Sequence, residues 1–226
     1  MIEELLPAPV AARELFGEPP EGAGALLPQE EAVLVRSVAK RRREFAGTRS
    51  CARRALAVLG VPPTPILPGE RGAPRWPTGI VGSMTHRQGY CAAAVAYGTD
   101  LLAIGIDAEP DEPLPRQVRD TVVLSAERGW AVPGAAGPDS GVAVCRDRLL
   151  FSAKESVYKA WFPLTGRPLG FRDALVEPVA AGASGEFRVR LLVPAPMVGG
   201  RPLPSFTGYW LVRDGLILTA VTVPPV

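Results

Sequence analysis

Residues 149–161 read LLFSAKESVYKAW. Leu150, Ala153, Val157 and Trp161 recur at the three- and four-residue spacing of a helix with one buried face. Lys154, Glu155 and Lys159 interrupt that pattern, with Glu155 and Lys159 one turn apart and nearly opposite the apolar stripe. An exposed Glu–Lys pair at this spacing is ordinary and contributes about 0.2–0.5 kcal/mol. The composition argues for more. The chain has 22 arginines and three lysines, and two of the three lysines lie on this helix. Where arginine is the default cation, a lysine supplies a compact point charge rather than a planar fork.

Upstream, IGIDAEP at 104–110 has the character of a strand end. Side chains alternate faces on a strand, so Asp107 and Glu109 point the same way with Ala108 opposed. Two adjacent carboxylates repel, and either water or a hard divalent cation relieves that repulsion. All-oxygen ligands with space for water and phosphate suit Mg2+. On the dipeptide spacing alone, two solvated acids before a proline turn are the favoured reading. Glu155 is a third carboxylate that could complete a metal site begun by those two.

His86, the one histidine, stands in VGSMTHRQGY, so a centre built on several histidines is excluded. Ser83, Thr85 and His86 place hydrogen-bond donors close together, as a phosphate would need, although a loop histidine bonded to backbone is the plainer reading. Arg41, Arg42, Arg43, Arg49, Arg53 and Arg54 form a basic run that reads as a solvated helix face or as an anion site. No Walker GxxxxGK[ST], GxGxxG or Gly-x-Ser-x-Gly motif is present.

The whole chain sets the frame. Its 226 residues are 47% apolar, enough for one substantial core or two packed halves. A net charge of +2 is too weak to imply nucleic-acid binding. Three cysteines without Cys-x-x-Cys spacing suggest neither a disulfide framework nor a thiolate metal site. The acidic, proline-broken start is not a signal peptide, and no apolar run has membrane-spanning length. A cytoplasmic, soluble globular protein is expected.

Residues 29–45 and 50–60 read as a helix loosened at Gly47, and the proline-rich 61–79 as a long loop. GYCAAAVAY and LLAIGI, separated by Gly98-Thr99-Asp100, read as a hairpin. Residues 121–130 are compatible with a helix, 130–144 with a loop, and 147–161 form the opening helix. ALVEPV, EFRVRLLV, FTGYWLV and LILTAVTV read as strands, the last two joined at Asp214-Gly215. This order predicts an α+β fold rather than a βαβ array, with two comparable halves meeting near residue 106.

GSMTH at 82–86, GIDAE at 105–109 and KESVYKA at 154–160 occur here in one order. With KRRREFAGTRSCARRAL, the GERGAPRWP loop and WFPLTGRPLGF, the sequence resembles the 4′-phosphopantetheinyl transferases across most of residues 36–171. The surfactin-synthetase-activating type, in its actinobacterial members, is the form it is most similar to. The resemblance implies two pseudo-symmetric α+β halves, 1–106 and 107–226, forming one functional unit around a coenzyme A site. It implies Mg2+-dependent (or Mn2+-dependent) transfer of phosphopantetheine from coenzyme A to a serine of an apo acyl or peptidyl carrier protein, releasing 3′,5′-ADP.

By position, Asp107, Glu109 and Glu155 would be metal ligands, and Glu155 also the general base. Lys159 would neutralise the breaking pyrophosphate, with Lys154 assisting or touching phosphate. Ser83, Met84, Thr85 and His86 would line the coenzyme A site, and Arg41, Arg49 and Arg71 would meet its nucleotide end. Two positions depart from many relatives: Ala108 is small, and Ala73 leaves the GERGAP loop with Arg71 as its basic residue. Residues 113–124 are expected to help dock the carrier; a monomer, without nucleic-acid or membrane partners, is expected. A Mg2+-dependent phosphohydrolase would use the same carboxylates with water as nucleophile, and a non-catalytic coenzyme A-binding module would not need Glu155.

Overall fold

The computed structural model describes residues 1–17, 25–132, 144–179 and 182–225. In chain order its elements are β1 (Ala11–Phe16), α1 (Pro28–Val33), α2 (Ala39–Val58), β2 (Ile80–Arg87), β3 (Tyr90–Tyr97) and β4 (Ala103–Pro110). These are followed by α3 (Arg116–Val122), α4 (Arg128–Ala131), α5 (Arg146–Thr165), β5 (Ala174–Pro178) and β6 (Ser184–Leu191). The last four strands are β7 (Met197–Val198), β8 (Arg201–Pro202), β9 (Ser205–Arg213) and β10 (Leu216–Val223). Short 3-10 turns occupy Ile2–Leu5, Glu70–Gly72 and Ser125–Glu127. The loop read at 130–144 lies largely outside the described residues.

The small apolar run of β3 decides the layering. It is buried from Tyr90 to Ala96, because both of its faces are covered. Cys91, Ala93 and Val95 pack against Cys51, Ala52, Ala55 and Leu56 of α2. Ala92, Ala94 and Ala96 on the other face meet Ile104, Ile106, Ala108, Leu218 and Ala220. Two large antiparallel sheets result, one ordered β1-β3-β2 and one ordered β4-β10-β9-β6-β5, beside a small β7-β8 ladder. The far side of the second sheet is covered by Leu150, Ala153, Val157 and Trp161 of α5. The stack is therefore α2, first sheet, second sheet, α5, an α+β architecture as expected.

Three expectations change. The hairpin read over residues 90–106 does not form: β3 pairs with β1 and β2, whereas β4 pairs with β10. A strand buried on both faces reads as a continuous apolar run, and two such runs in succession do not reveal whether they share a sheet. The tight turn is instead the Gln88-Gly89 link of β2 to β3, with Gly89 at φ 75°. The division expected at residue 106 runs through β4, whose whole length pairs in the second sheet; the change of sheet falls at 98–102. The basic helix breaks between α1 and α2, not at Gly47. Gly47 lies inside α2 where a Cβ would sit 2.8 Å from Cys91 Sγ, so its missing side chain permits close packing on the sheet. The strand at 11–16 was hidden among prolines. By contrast, Asp214 and Gly215 take φ 53° and 73° and close the β9–β10 hairpin.

Candidate active site

The site is built where α5 crosses β4, the edge strand of the second sheet. A Cβ at Gly105 would overlap the Ser156 carbonyl, so glycine there lets the helix backbone rest on the strand. That approach sets a polar stripe of α5 (Arg148, Ser152, Glu155, Lys159) over Asp107 and Glu109. Its spacing of four, three and four residues keeps one helix face.

Each member has a defined partner except one. Lys159 Nζ donates to Asp107 Oδ1 at 2.7 Å and to the Ile106 carbonyl at 2.9 Å. Ser152 Oγ donates to Asp107 Oδ2 at 2.9 Å and lies 3.0 Å from Thr219 Oγ1. Thr219 sits opposite Asp107 in the ladder and donates to the Ser152 carbonyl. Arg148 Nη1 donates to Glu109 Oε2 at 2.8 Å, and Arg87 Nη2 reaches the same oxygen at 3.1 Å. Glu155 makes no hydrogen bond or ion pair among the described residues. Burial, then Asp107, push its carboxyl above the usual range, against the lowering effect of Lys159. Glu109 is raised by the same two causes. The two acids of β4 are buried, at 5% and 7% exposure, so the solvated-acid alternative is wrong here.

Glu155 and Lys159 face a cleft of about 460 Å³ whose walls include Arg71, Trp76, Met84, Tyr158 and Phe162. Ser83 also lines it, but Ser83 Oγ accepts from Ile106 N and Thr85 Oγ1 accepts from Ala108 N. These hydroxyls close the free edge of β4. The Thr85 proton points to Asp107 Oδ1 at 3.4 Å, so Thr85 reads as a support for that acid rather than as a free phosphate donor.

The cations singled out in the sequence lie on α2, on β2 and in the loop between them. Arg41 Nη1 lies 3.2 Å from His86 Nε2, and His86 Nδ1 lies 3.9 Å from Glu44. Burial holds the His86 pKa below its ordinary 6.5, assisted by Arg41, Lys159 and Arg49. Arg49 is buried, stacked 3.5 Å over Phe45 and bonded to the Ile66 carbonyl, and burial lowers its pKa to about 10. Arg71 is exposed in a loop pinched by a Pro68–Pro74 bridge and adopts a left-handed φ of 51°. A non-glycine residue in that region is strained, which favours a role for the side chain it presents.

Lys154 is a correction. Its ammonium is 3% exposed and donates to Glu127 Oε2, the Val122 carbonyl and the Phe171 carbonyl, each within 2.9 Å. All three donors are used, so it faces the core and no phosphate. Sequence reasoning missed Arg148, Ser152 and Thr219. The first two share the heptad-like spacing of Glu155 and Lys159, a signal that was available. Thr219 had none, because its role follows from strand pairing.

Buried acids beside a cleft that Arg71 and Lys159 line, with further cations on α2 and β2, fit an α+β enzyme that handles a phosphorylated substrate. Residues 29–96 match the model of the 4′-phosphopantetheinyl transferase N-terminal domain, and residues 103–194 that of the 4′-phosphopantetheinyl transferase superfamily. The chain is 52% identical to 4′-phosphopantetheinyl transferase Svp of Streptomyces mobaraensis, over 99% of this chain and 89% of that protein. It is 46% identical to 4′-phosphopantetheinyl transferase PptT of Mycobacterium tuberculosis, over 99% and 98% respectively. Enterobactin synthase component D of Salmonella typhimurium is 33% identical over 81% of this chain and 72% of that protein. The chain belongs to the 4′-phosphopantetheinyl transferase superfamily and is an enzyme of that class.

Proposed function

We propose that the chain moves the 4′-phosphopantetheine group of coenzyme A onto a serine of an apo acyl or peptidyl carrier protein, with Mg2+ or Mn2+ as the required ion. The observation that carries this reading is Glu155, a half-buried carboxylate with no hydrogen bond or ion pair among the described residues, beside Asp107 and facing the cleft. The donor chemistry fits a hard divalent cation: Asp107, Glu109 and Glu155 offer oxygens, and the burial and repulsion that raise Glu155 are what a cation would relieve. Among the described residues no three Asp, Glu, His or Cys side chains already converge as a metal cage. Asp107, Glu109 and Glu155 would hold the ion, which when bound supplies charge neutralisation at the pyrophosphate.

The chain's own groups account for the rest. Arg41, Arg49, Arg71 and His86 bind the nucleotide phosphates, and coenzyme A needs several such charges. Glu155 takes the proton of the carrier serine as its oxygen forms a bond to the β-phosphorus of the pyrophosphate. The bond from that phosphorus to the bridging oxygen breaks, and 3′,5′-ADP leaves with the electron pair. Lys159, fixed at Asp107 Oδ1 and the Ile106 carbonyl, offsets the charge that develops there. Thr85, Ser152 and Thr219 hold Asp107 in place. Among the described residues no helix is long and apolar enough to cross a membrane. We place the enzyme in the cytoplasm as a monomer.

The test is incubation with coenzyme A, Mg2+ and apo carrier proteins of siderophore, polyketide, nonribosomal-peptide and fatty-acid synthesis, read by intact mass. At least one carrier gains the phosphopantetheine mass, and EDTA prevents it. Release of phosphopantetheine without any carrier would instead mark a phosphohydrolase.

A further inference from the structure

Glu30 on α1 is fully buried, and nothing in the proposed reaction uses it. Its Oε1 accepts from Ile66 N at 2.9 Å and from Arg53 Nη1 at 3.0 Å. Its Oε2 accepts from the same Nη1 at 2.8 Å and from Leu27 N at 3.0 Å. Arg53 Nη2 donates to the Ala25 carbonyl at 2.7 Å. Arg53, a member of the basic run on α2, is therefore engaged within the protein. A buried ion pair adds little net stability over apolar residues of similar volume, so what this pair holds in place is the better guide to its role.

It holds the peptide of Ile66. Glu30 binds the N–H of that residue, and the Ile66 carbonyl accepts from Arg49 Nε at 3.1 Å. The Ile66 side chain is itself fully buried in the core between α2 and the first sheet. This one residue of the proline-rich loop is thus clamped at its N–H, its carbonyl and its side chain. Arg49 is set in turn by that carbonyl at Nε, by Thr48 Oγ1 at 3.3 Å from Nη1, and by the Phe45 ring beneath its face. Among the described residues Nη2 is left without a bond, so the guanidinium keeps a donor edge for a ligand. A planar fork serves a phosphate only in a fixed orientation, and here the Ile66 carbonyl supplies it.

We propose that Glu30 is the positioning residue of Arg49: through the Ile66 peptide it fixes the guanidinium that meets the nucleotide end of coenzyme A. The inference rests on the proposed placing of that end on Arg49, and goes beyond it in giving the buried Glu30–Arg53 pair a part in binding. It has a signature that a merely structural pair lacks. A pair that only held α1 to α2 would set the melting temperature and leave the coenzyme A affinity of the folded protein unchanged. Removing Glu30 alone would also alter the field at the phosphates. The informative change removes both charges together and keeps the net charge.

The experiment is calorimetric titration with coenzyme A, beside KM and kcat for transfer, on wild type and variants. Glu30→Met/Arg53→Met leaves Ile66 N without its acceptor and raises the coenzyme A Kd and KM at least about fivefold, with kcat at saturating coenzyme A within about twofold. Glu30→Gln/Arg53→Gln gives Ile66 N a neutral acceptor and returns the affinity to within about twofold of wild type. Arg49→Met weakens binding at least about tenfold, and adding Glu30→Met/Arg53→Met to it weakens binding less than about twofold further, because the pair acts through Arg49. Arg49→Lys keeps the charge without the fork and stays at least about fivefold weaker than wild type. An unchanged affinity in folded Glu30→Met/Arg53→Met overturns the proposal, as do losses that multiply with that of Arg49→Met. If Glu30→Met/Arg53→Met does not fold, Arg49→Lys decides: binding within about twofold of wild type means that charge alone suffices and no clamp is needed. Wild-type affinity in Arg49→Met would take the nucleotide end off Arg49 and overturn that placing and this proposal together, whereas multiplying losses overturn this proposal alone.

Discussion

At the scale of single residues, Glu155 has two proposed duties, and one substitution separates them. Glu155→Gln keeps an oxygen for the ion but cannot accept the serine proton. It is expected to bind coenzyme A within a few-fold of wild type and to transfer at least about a hundredfold more slowly, the low end of the range for losing a general base. Single-turnover transfer beside coenzyme A titration reads both; near-normal transfer would give the proton to another group. His86 predicts a pH dependence. Its folded pKa lies below the ordinary 6.5, so the cost of protonating the buried ring is fully present below the folded value. Stability then rises with pH across the window up to 6.5 and is flat above it. A phosphate at the ring favours the protonated form, so coenzyme A binding takes up a proton there. Affinity should strengthen from about pH 8 to about pH 6, and His86→Gln should flatten that slope in calorimetric titrations. The acids and Lys159 were legible in sequence because a strand repeats every two residues and a helix every 3.6. Lys154 was misplaced because it adjoins Glu155 in sequence, whereas adjacent positions on a helix point about 100° apart and bury different faces.

Elements explain why the site holds its shape. Gly105 is the contact point of α5 on β4, and any side chain there would have to displace helix backbone at Ser156. Gly105→Ala is expected to lower the melting temperature or abolish soluble expression, although the residue touches no substrate. Lys154 joins α5 to the ends of α3 and to the Ser125–Glu127 turn, and Glu127 also accepts from Leu124 N and Val176 N. Lys154→Met removes one partner of a fully buried pair, which typically costs about 3–5 kcal/mol. Urea denaturation should show that loss, with coenzyme A affinity in the remaining folded protein nearly unchanged. A large drop in coenzyme A affinity instead would return Lys154 to the phosphates. The strands of the second sheet were readable because β9 and β10 meet at a turn whose residues demand positive φ. The first sheet was not, since the run of alanines in β3 carries no alternation to show which neighbour it pairs with.

Across the whole molecule, the segment from Pro113 to Leu124 is anchored at both ends by α5, through Arg148 on its first carbonyls and Lys154 on the Val122 carbonyl. Between those anchors α3 presents Arg116, which is mostly exposed, and Val118, 38% exposed. Among the described residues Arg116 pairs at 3.8 Å with the exposed Asp120, a pair that solvent and salt screen heavily. A partner whose serine must reach Glu155 would then meet a rigid basic ledge joined to the catalytic helix. An acidic carrier surface fits such a ledge, with Val118 supplying apolar contact and the arginines steering the encounter. Steering of that kind acts on the association rate and falls as ionic strength rises past the point where the Debye length is about 10 Å. Reversing charge at Arg116 and Arg119 together should raise the carrier KM at least about tenfold at low salt and much less at high salt, because screening already removes the attraction in the wild type. The kcat and the coenzyme A affinity should stay within a few-fold of wild type, since neither side chain lines the cleft. The measurement is a set of carrier KM values over a salt series for both proteins. An unchanged carrier KM at low salt would move the docking surface elsewhere. Equal losses in KM and kcat would mean that α3 helps hold α5 in register instead of meeting the carrier.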